Sequence, residues 1–103
     1  MNANDFADAV RTLAAAARDA GHVAPSFRSP PGIPGAARTM RRRPDGTVQV
    51  SVAMSERPWA AVQSDLVEGI VVANRLAGPA ADALRRALWA ALQGAGRPAG
   101  AAA

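Results

Sequence analysis

The stretch Ala37-Arg38-Thr39-Met40-Arg41-Arg42-Arg43-Pro44-Asp45-Gly46-Thr47-Val48-Gln49-Val50-Ser51-Val52 reads as a β-hairpin that carries arginine on one of its faces. Pro44-Asp45-Gly46 sets the turn. Proline fixes φ at the first central position of a type I turn, and glycine takes the left-handed position that closes a three-residue loop. That turn dictates the register: Arg43 faces Thr47, Arg42 faces Val48, Arg41 faces Gln49, Met40 faces Val50 and Thr39 faces Ser51. Side chains alternate between the two faces of a strand. One face therefore carries Met40, Val48, Val50 and Val52 and requires a core against it. The other carries Thr39, Arg41, Arg43, Thr47, Gln49 and Ser51, and Arg42 falls at the rim of the apolar face.

Guanidinium forks match phosphate oxygens, and Thr, Gln and Ser add neutral donors, so the polar face suits phosphate contact. Two observations give the same residues a plainer role. All twelve basic residues are Arg and 27 of the 103 residues are Ala, the pattern that a GC-rich genome imposes through codon choice. Charged residues on a strand at a sheet edge also keep it from pairing with other chains.

With 103 residues, half of them hydrophobic, the chain supports one domain with a modest core. We expect that domain over residues 1–93, followed by a disordered Gly/Ala/Pro tail over 94–103. The net charge of +4 and a pI near 11.5 favour anionic partners. No cysteine is present, which removes disulfides and thiolate metal sites and agrees with a reducing cytoplasm. Met1-Asn2-Ala3-Asn4-Asp5 lacks the basic-then-apolar order of a signal peptide, and no apolar run approaches the ~20 residues of a membrane span. A cytoplasmic protein with no membrane partner is expected.

Around the hairpin, a first helix is expected from about Asp5 to Ala20, capped by Asn2 or Asn4, with Phe6, Val10, Leu13 and Ala17 on one face and Gly21 as its stop. Residues 22–36 contain four Pro and two Gly and read as a long loop, anchored by Phe27 and Ile33, with Arg28 outside. After the hairpin, Ser55-Glu56-Arg57-Pro58 opens a second helix to about Leu76. Within it, Ile70-Val71-Val72-Ala73 is apolar on nearly every side and fits either a central helix or a short strand begun at Gly69. The stripe Trp59, Val62, Leu66, Ile70, Ala73, Leu76 stays in helical phase and favours the helix. A third helix is expected from about Ala80 to Gln93, with an Asp82 to Arg86 pair on its outer side and Gly94 ending it.

Catalytic chemistry finds little support. His22 is the single histidine, stands just past a helix end and has no thiol, phenol or nearby acid to serve. Asp65 and Glu68, three residues apart, make two metal ligands at most. Gly32-Ile33-Pro34-Gly35 has the outline of a phosphate-binding GxxG loop, but Pro34 removes an amide donor. Arg28, Pro31 and Pro34 match the spacing of a polyproline ligand.

The expected fold is α+β: an N-terminal helix, a Pro-rich loop, an antiparallel β-hairpin and two C-terminal helices. A two-stranded sheet is marginal alone, so its completion by a homodimer is expected. The expected function is that of a small, non-catalytic protein of a high-GC bacterium, without cofactor or metal. It would bind nucleic acid, DNA rather than RNA, through Arg28, Arg38, Thr39, Arg41, Arg43 and Gln49. The competing expectation is a protein-interaction module that docks a larger partner through the Pro-rich loop and the apolar helices.

Overall fold

The computed structural model describes residues 3–30 and 36–95, in the order α1 (Ala3–Asp19), β1 (Ser26–Arg28), β2 (Arg38–Arg42), β3 (Val48–Val52), α2 (Trp59–Ala73) and α3 (Gly78–Ala95). β2 and β3 pair antiparallel in the register that the turn dictates, with Thr39 opposite Ser51, Met40 opposite Val50, Arg41 opposite Gln49 and Arg42 opposite Val48. Gly46 has φ +88° and donates its N–H to the Arg43 carbonyl at 3.0 Å, while the Arg43 N–H donates to the Thr47 carbonyl at 2.9 Å.

The segment expected to be a loop holds a strand instead. Ser26-Phe27-Arg28 pairs parallel with β3, placing Ser26 beside Gln49, Phe27 beside Val50 and Arg28 beside Ser51, and the sheet runs β1-β3-β2. Proline within the segment forbids a helix, but these three residues lie between Pro25 and Pro30 and keep their amide donors. β3 is therefore the central strand, and its second edge is covered from within the same chain.

α2 packs on the sheet face formed by Val48, Val50 and Val52, all buried, with Phe27 half-buried beside them. α1 and α3 pack on each other and on α2, while their contact with the sheet is marginal at most. This layering explains why Ile70-Val71-Val72-Ala73 is helical yet almost wholly apolar: α2 lies between the sheet and two helices, and Leu66, Val67 and Ile70 have no exposed surface. The close approach of α2 to the sheet requires Gly69. A Cβ there would stand 2.9 Å from Val50 Cγ1 and 3.1 Å from Phe27 Cε1.

The helix ends differ from expectation in physically simple ways. α1 closes with Gly21 at φ +82°, the Gly21 N–H donating to the Arg18 carbonyl at 2.9 Å and the His22 N–H to the Ala17 carbonyl at 2.8 Å, a Schellman motif. α2 ends at Ala73, three residues before Leu76, because Asn74 takes the cap and Arg75 adopts a left-handed φ of +54°. The Asn74 side chain donates to the carbonyls of Val23 at 2.9 Å and Ile70 at 2.8 Å, and accepts the Val23 N–H at 2.9 Å. It thereby fastens the chain leading into β1 to the end of α2. α3 begins at Gly78 with Pro79 in its first turn and passes through Gly94 to Ala95. Residues 96–103, expected to be a tail, lie outside the described residues, as does the Gly32–Gly35 segment.

Candidate nucleic-acid interface

Residues paired across neighbouring strands project to the same face, so the sheet register places every candidate. One row across the open face reads Arg28, Ser51, Thr39, and the next reads Ser26, Gln49, Arg41. Arg43 follows two residues beyond Arg41, toward the turn. Strands lie ~4.8 Å apart, so the β1 and β2 backbones are about 10 Å from each other. Ser26, Arg28, Thr39, Arg41 and Arg43 are exposed, and Gln49 and Ser51 are half-buried between the outer strands. The guanidinium groups of Arg28, Arg41 and Arg43 have no hydrogen-bond or ion-pair partner among the described residues. Five of the six expected site residues are thus brought together, and Ser26 joins them because β1 exists.

Arg38 is the exception. It stands opposite Val52, on the face that α2 covers, and donates to Asp65 Oδ1 at 3.3 Å. The other Asp65 oxygen accepts from Arg57, which also donates to the Ala53 carbonyl at 2.8 Å. One half-buried carboxylate thus holds two guanidinium groups. Arg42 shares the face of Arg38 and donates to the carbonyls of Val72 at 3.2 Å and Ala73 at 3.4 Å. A cation at the C-terminal end of α2 complements the helix dipole and adds donors to its last carbonyls, of which that of Val72 also accepts the Arg75 N–H at 3.0 Å. The triplet Arg41-Arg42-Arg43 is therefore split, two side chains for the open face and one for the helix.

The turn modifies the charge at one end of the open face. Asp45 Oδ1 accepts the Thr47 hydroxyl at 2.7 Å and the Thr47 N–H at 2.9 Å. These bonds, the hydroxyl first, hold the Asp45 carboxyl below its ordinary range, with the Arg43 charge adding to the effect. The Thr47 hydroxyl is consequently occupied, and a carboxylate lies two residues from Arg43.

The remaining candidates serve the fold. Glu68 accepts from Arg85 at 2.8 and 2.9 Å, and Asp82 pairs with Arg85 at 2.8 Å rather than with Arg86. Asp65 and Glu68 thus face arginines, and no group of three or more His, Cys, Asp or Glu side chains comes together among the described residues. A shallow cleft of about 170 Å³ lies between α1, the start of α2 and the end of α3, lined by Asp5, Asp8, Thr12, Trp59, Gln63 and Leu92. Its carboxylates make it unsuited to a polyanion. No helix among the described residues is long and apolar enough to cross a membrane. The chain matches no protein-family model, and comparison with curated proteins and with solved structures finds no similar one.

Proposed function

We propose that this chain is a non-catalytic protein that binds nucleic acid by setting Arg28, Arg41 and Arg43 against phosphates, with Thr39 and Gln49 as neutral donors. The observation that carries this reading is how the arginines are sorted. Arg11, Arg38, Arg42, Arg57 and Arg85 are each tied to carboxylates or carbonyls of their own chain. Among the described residues, three arginines without such partners gather on the sheet face opposite α2, while Arg18, Arg75 and Arg86 are dispersed among the helix faces and ends. Codon bias accounts for the number of arginines but not for this arrangement. The open face brings guanidinium forks and neutral donors together, the combination that positions proteins on phosphate backbones.

A homodimer along the outer edge of β2 belongs to the same proposal. Arg38 and Arg42 turn back onto α2 instead of guarding that edge, and Met40, at its centre, is 40% exposed. Pairing there would set two arginine faces side by side. Docking of a larger protein on the apolar surface of α2 has less support, because the chain itself covers that surface.

The test is affinity capture from a bacterial lysate by the wild-type chain and by the triple variant Arg28→Gln, Arg41→Gln, Arg43→Gln. Wild type should retain nucleic acid that nuclease removes, and the variant should retain little. A nuclease-resistant protein partner captured equally by both would overturn the proposal.

A further inference from the structure

We infer that the ligand this face prefers is the backbone of a DNA duplex, held by charge, over a single strand held by its bases. The inference rests on the phosphate-binding reading above and narrows it. Surfaces that hold single strands combine a basic groove with aromatic rings on which successive bases stack. The open face shows no aromatic ring among its described residues: it is a row-and-column array of Arg, Ser, Thr and Gln. Phe27 is the one aromatic residue in the sheet, and its ring points the other way, 3.1 Å from where a Cβ on Gly69 would stand. Phe6, Trp59 and Trp89 belong to the helices, Phe6 buried in the core and the two tryptophans half-buried against it, away from the open sheet face. An unstacked base would therefore meet only polar side chains and gain nothing from leaving the duplex.

Charge density favours the duplex for a separate reason. It carries one negative charge per ~1.7 Å of axis, against ~3.4 Å for each strand taken alone. Arg28 lies about 10 Å across the sheet from β2, and Arg41 and Arg43 lie about 7 Å apart along their own chain. Over about 10 Å of axis a duplex presents about six phosphates to the three free guanidinium groups, against about three from a lone strand. Among the described residues the two rows hold no carboxylate, and Asp45 stands at the turn beside Arg43, where it accepts from Thr47.

Fluorescence anisotropy of the full chain with a labelled random-sequence duplex, and with labelled oligo(dT) of the same length, tests this across a salt series. At low salt the duplex should bind several-fold more tightly. The slope of log K against log salt, counted per chain, should be about −2.7 for the duplex and about −2.1 for the single strand, from ~0.9 and ~0.7 counterions released per contact. Arg28→Gln should reduce the duplex slope by about 0.9 per chain, with its circular dichroism spectrum unchanged. Binding of oligo(dT) as tight as or tighter than the duplex would overturn the inference while leaving phosphate binding intact. Failure to bind either probe would overturn both.

Discussion

Gly69 of α2 lies so close to Val50 of β3 that a Cβ on the glycine would stand 2.9 Å from Val50 Cγ1. This contact seats the helix on the valine face and leaves the arginine face turned outward. A helical Gly→Ala change ordinarily gains ~1 kcal/mol, but overpacking a filled core costs ~1–3 kcal/mol. Gly69→Ala should therefore lower stability by about 1 kcal/mol, and Gly69→Leu by more. Chemical denaturation measures both, and a Gly69→Ala protein more stable than wild type would show that the helix is not held at this spacing.

Asp65 should matter for folding and not for binding. Removing its charge leaves Arg38 and Arg57 without their carboxylate in a half-buried setting, so Asp65→Asn should cost about 1–3 kcal/mol. Arg38→Gln should leave the salt dependence of DNA binding unchanged, because that side chain points to α2. A drop in salt slope for Arg38→Gln would return Arg38 to the interface.

Asp45 should show opposite effects on stability and binding. Its carboxyl is held below the ordinary range in the folded chain, so its contribution to stability is fully present above the unfolded value. That contribution is lost as pH falls through the lower folded value. Asp45→Asn should remove this acid-side dependence and loosen the turn. At neutral pH the same change deletes a negative charge near Arg43 and should tighten DNA binding about twofold. Weaker binding by a folded Asp45→Asn protein would contradict the placement of phosphate near Arg43.

Light scattering at micromolar concentration should give about twice the 10.5 kDa chain mass. In a two-fold pairing centred on Met40, Arg41 stands opposite Thr39 and Arg38 opposite Arg42, the latter two already tied to α2. Met40→Lys should return the mass to that of one chain. A wild type that stays monomeric at high concentration would remove the edge-pairing argument.

The hairpin was legible because Pro44-Asp45-Gly46 fixes both turn type and register, and alternation then sorts the side chains. The same alternation, carried one residue beyond Thr39, places Arg38 on the helix side; reading it by charge instead put it on the wrong face. β1 was not legible, since three residues between prolines are too few to display a period. Its pairing with β3 depends on contacts distant in sequence, among them the grip of Asn74 on Val23. The early end of α2 was hidden for another reason: Arg75 takes the left-handed position where glycine is the usual signal. The free face could be read in part from the hairpin, but its width, with Ser26 and Arg28 alongside Gln49 and Ser51, is a product of the third strand.

The most direct test of the arginine face compares two double variants by the salt dependence of duplex DNA binding. Arg41→Gln with Arg43→Gln removes two charges from the open face, and Arg18→Gln with Arg86→Gln removes two exposed charges from α1 and α3. The first pair should lower the slope of log K against log salt by about 1.8 per chain, from ~0.9 counterion per lost contact, and the second should leave it near wild type. Equal losses from both would mean that net charge alone governs binding, which would contradict a role for the hairpin face.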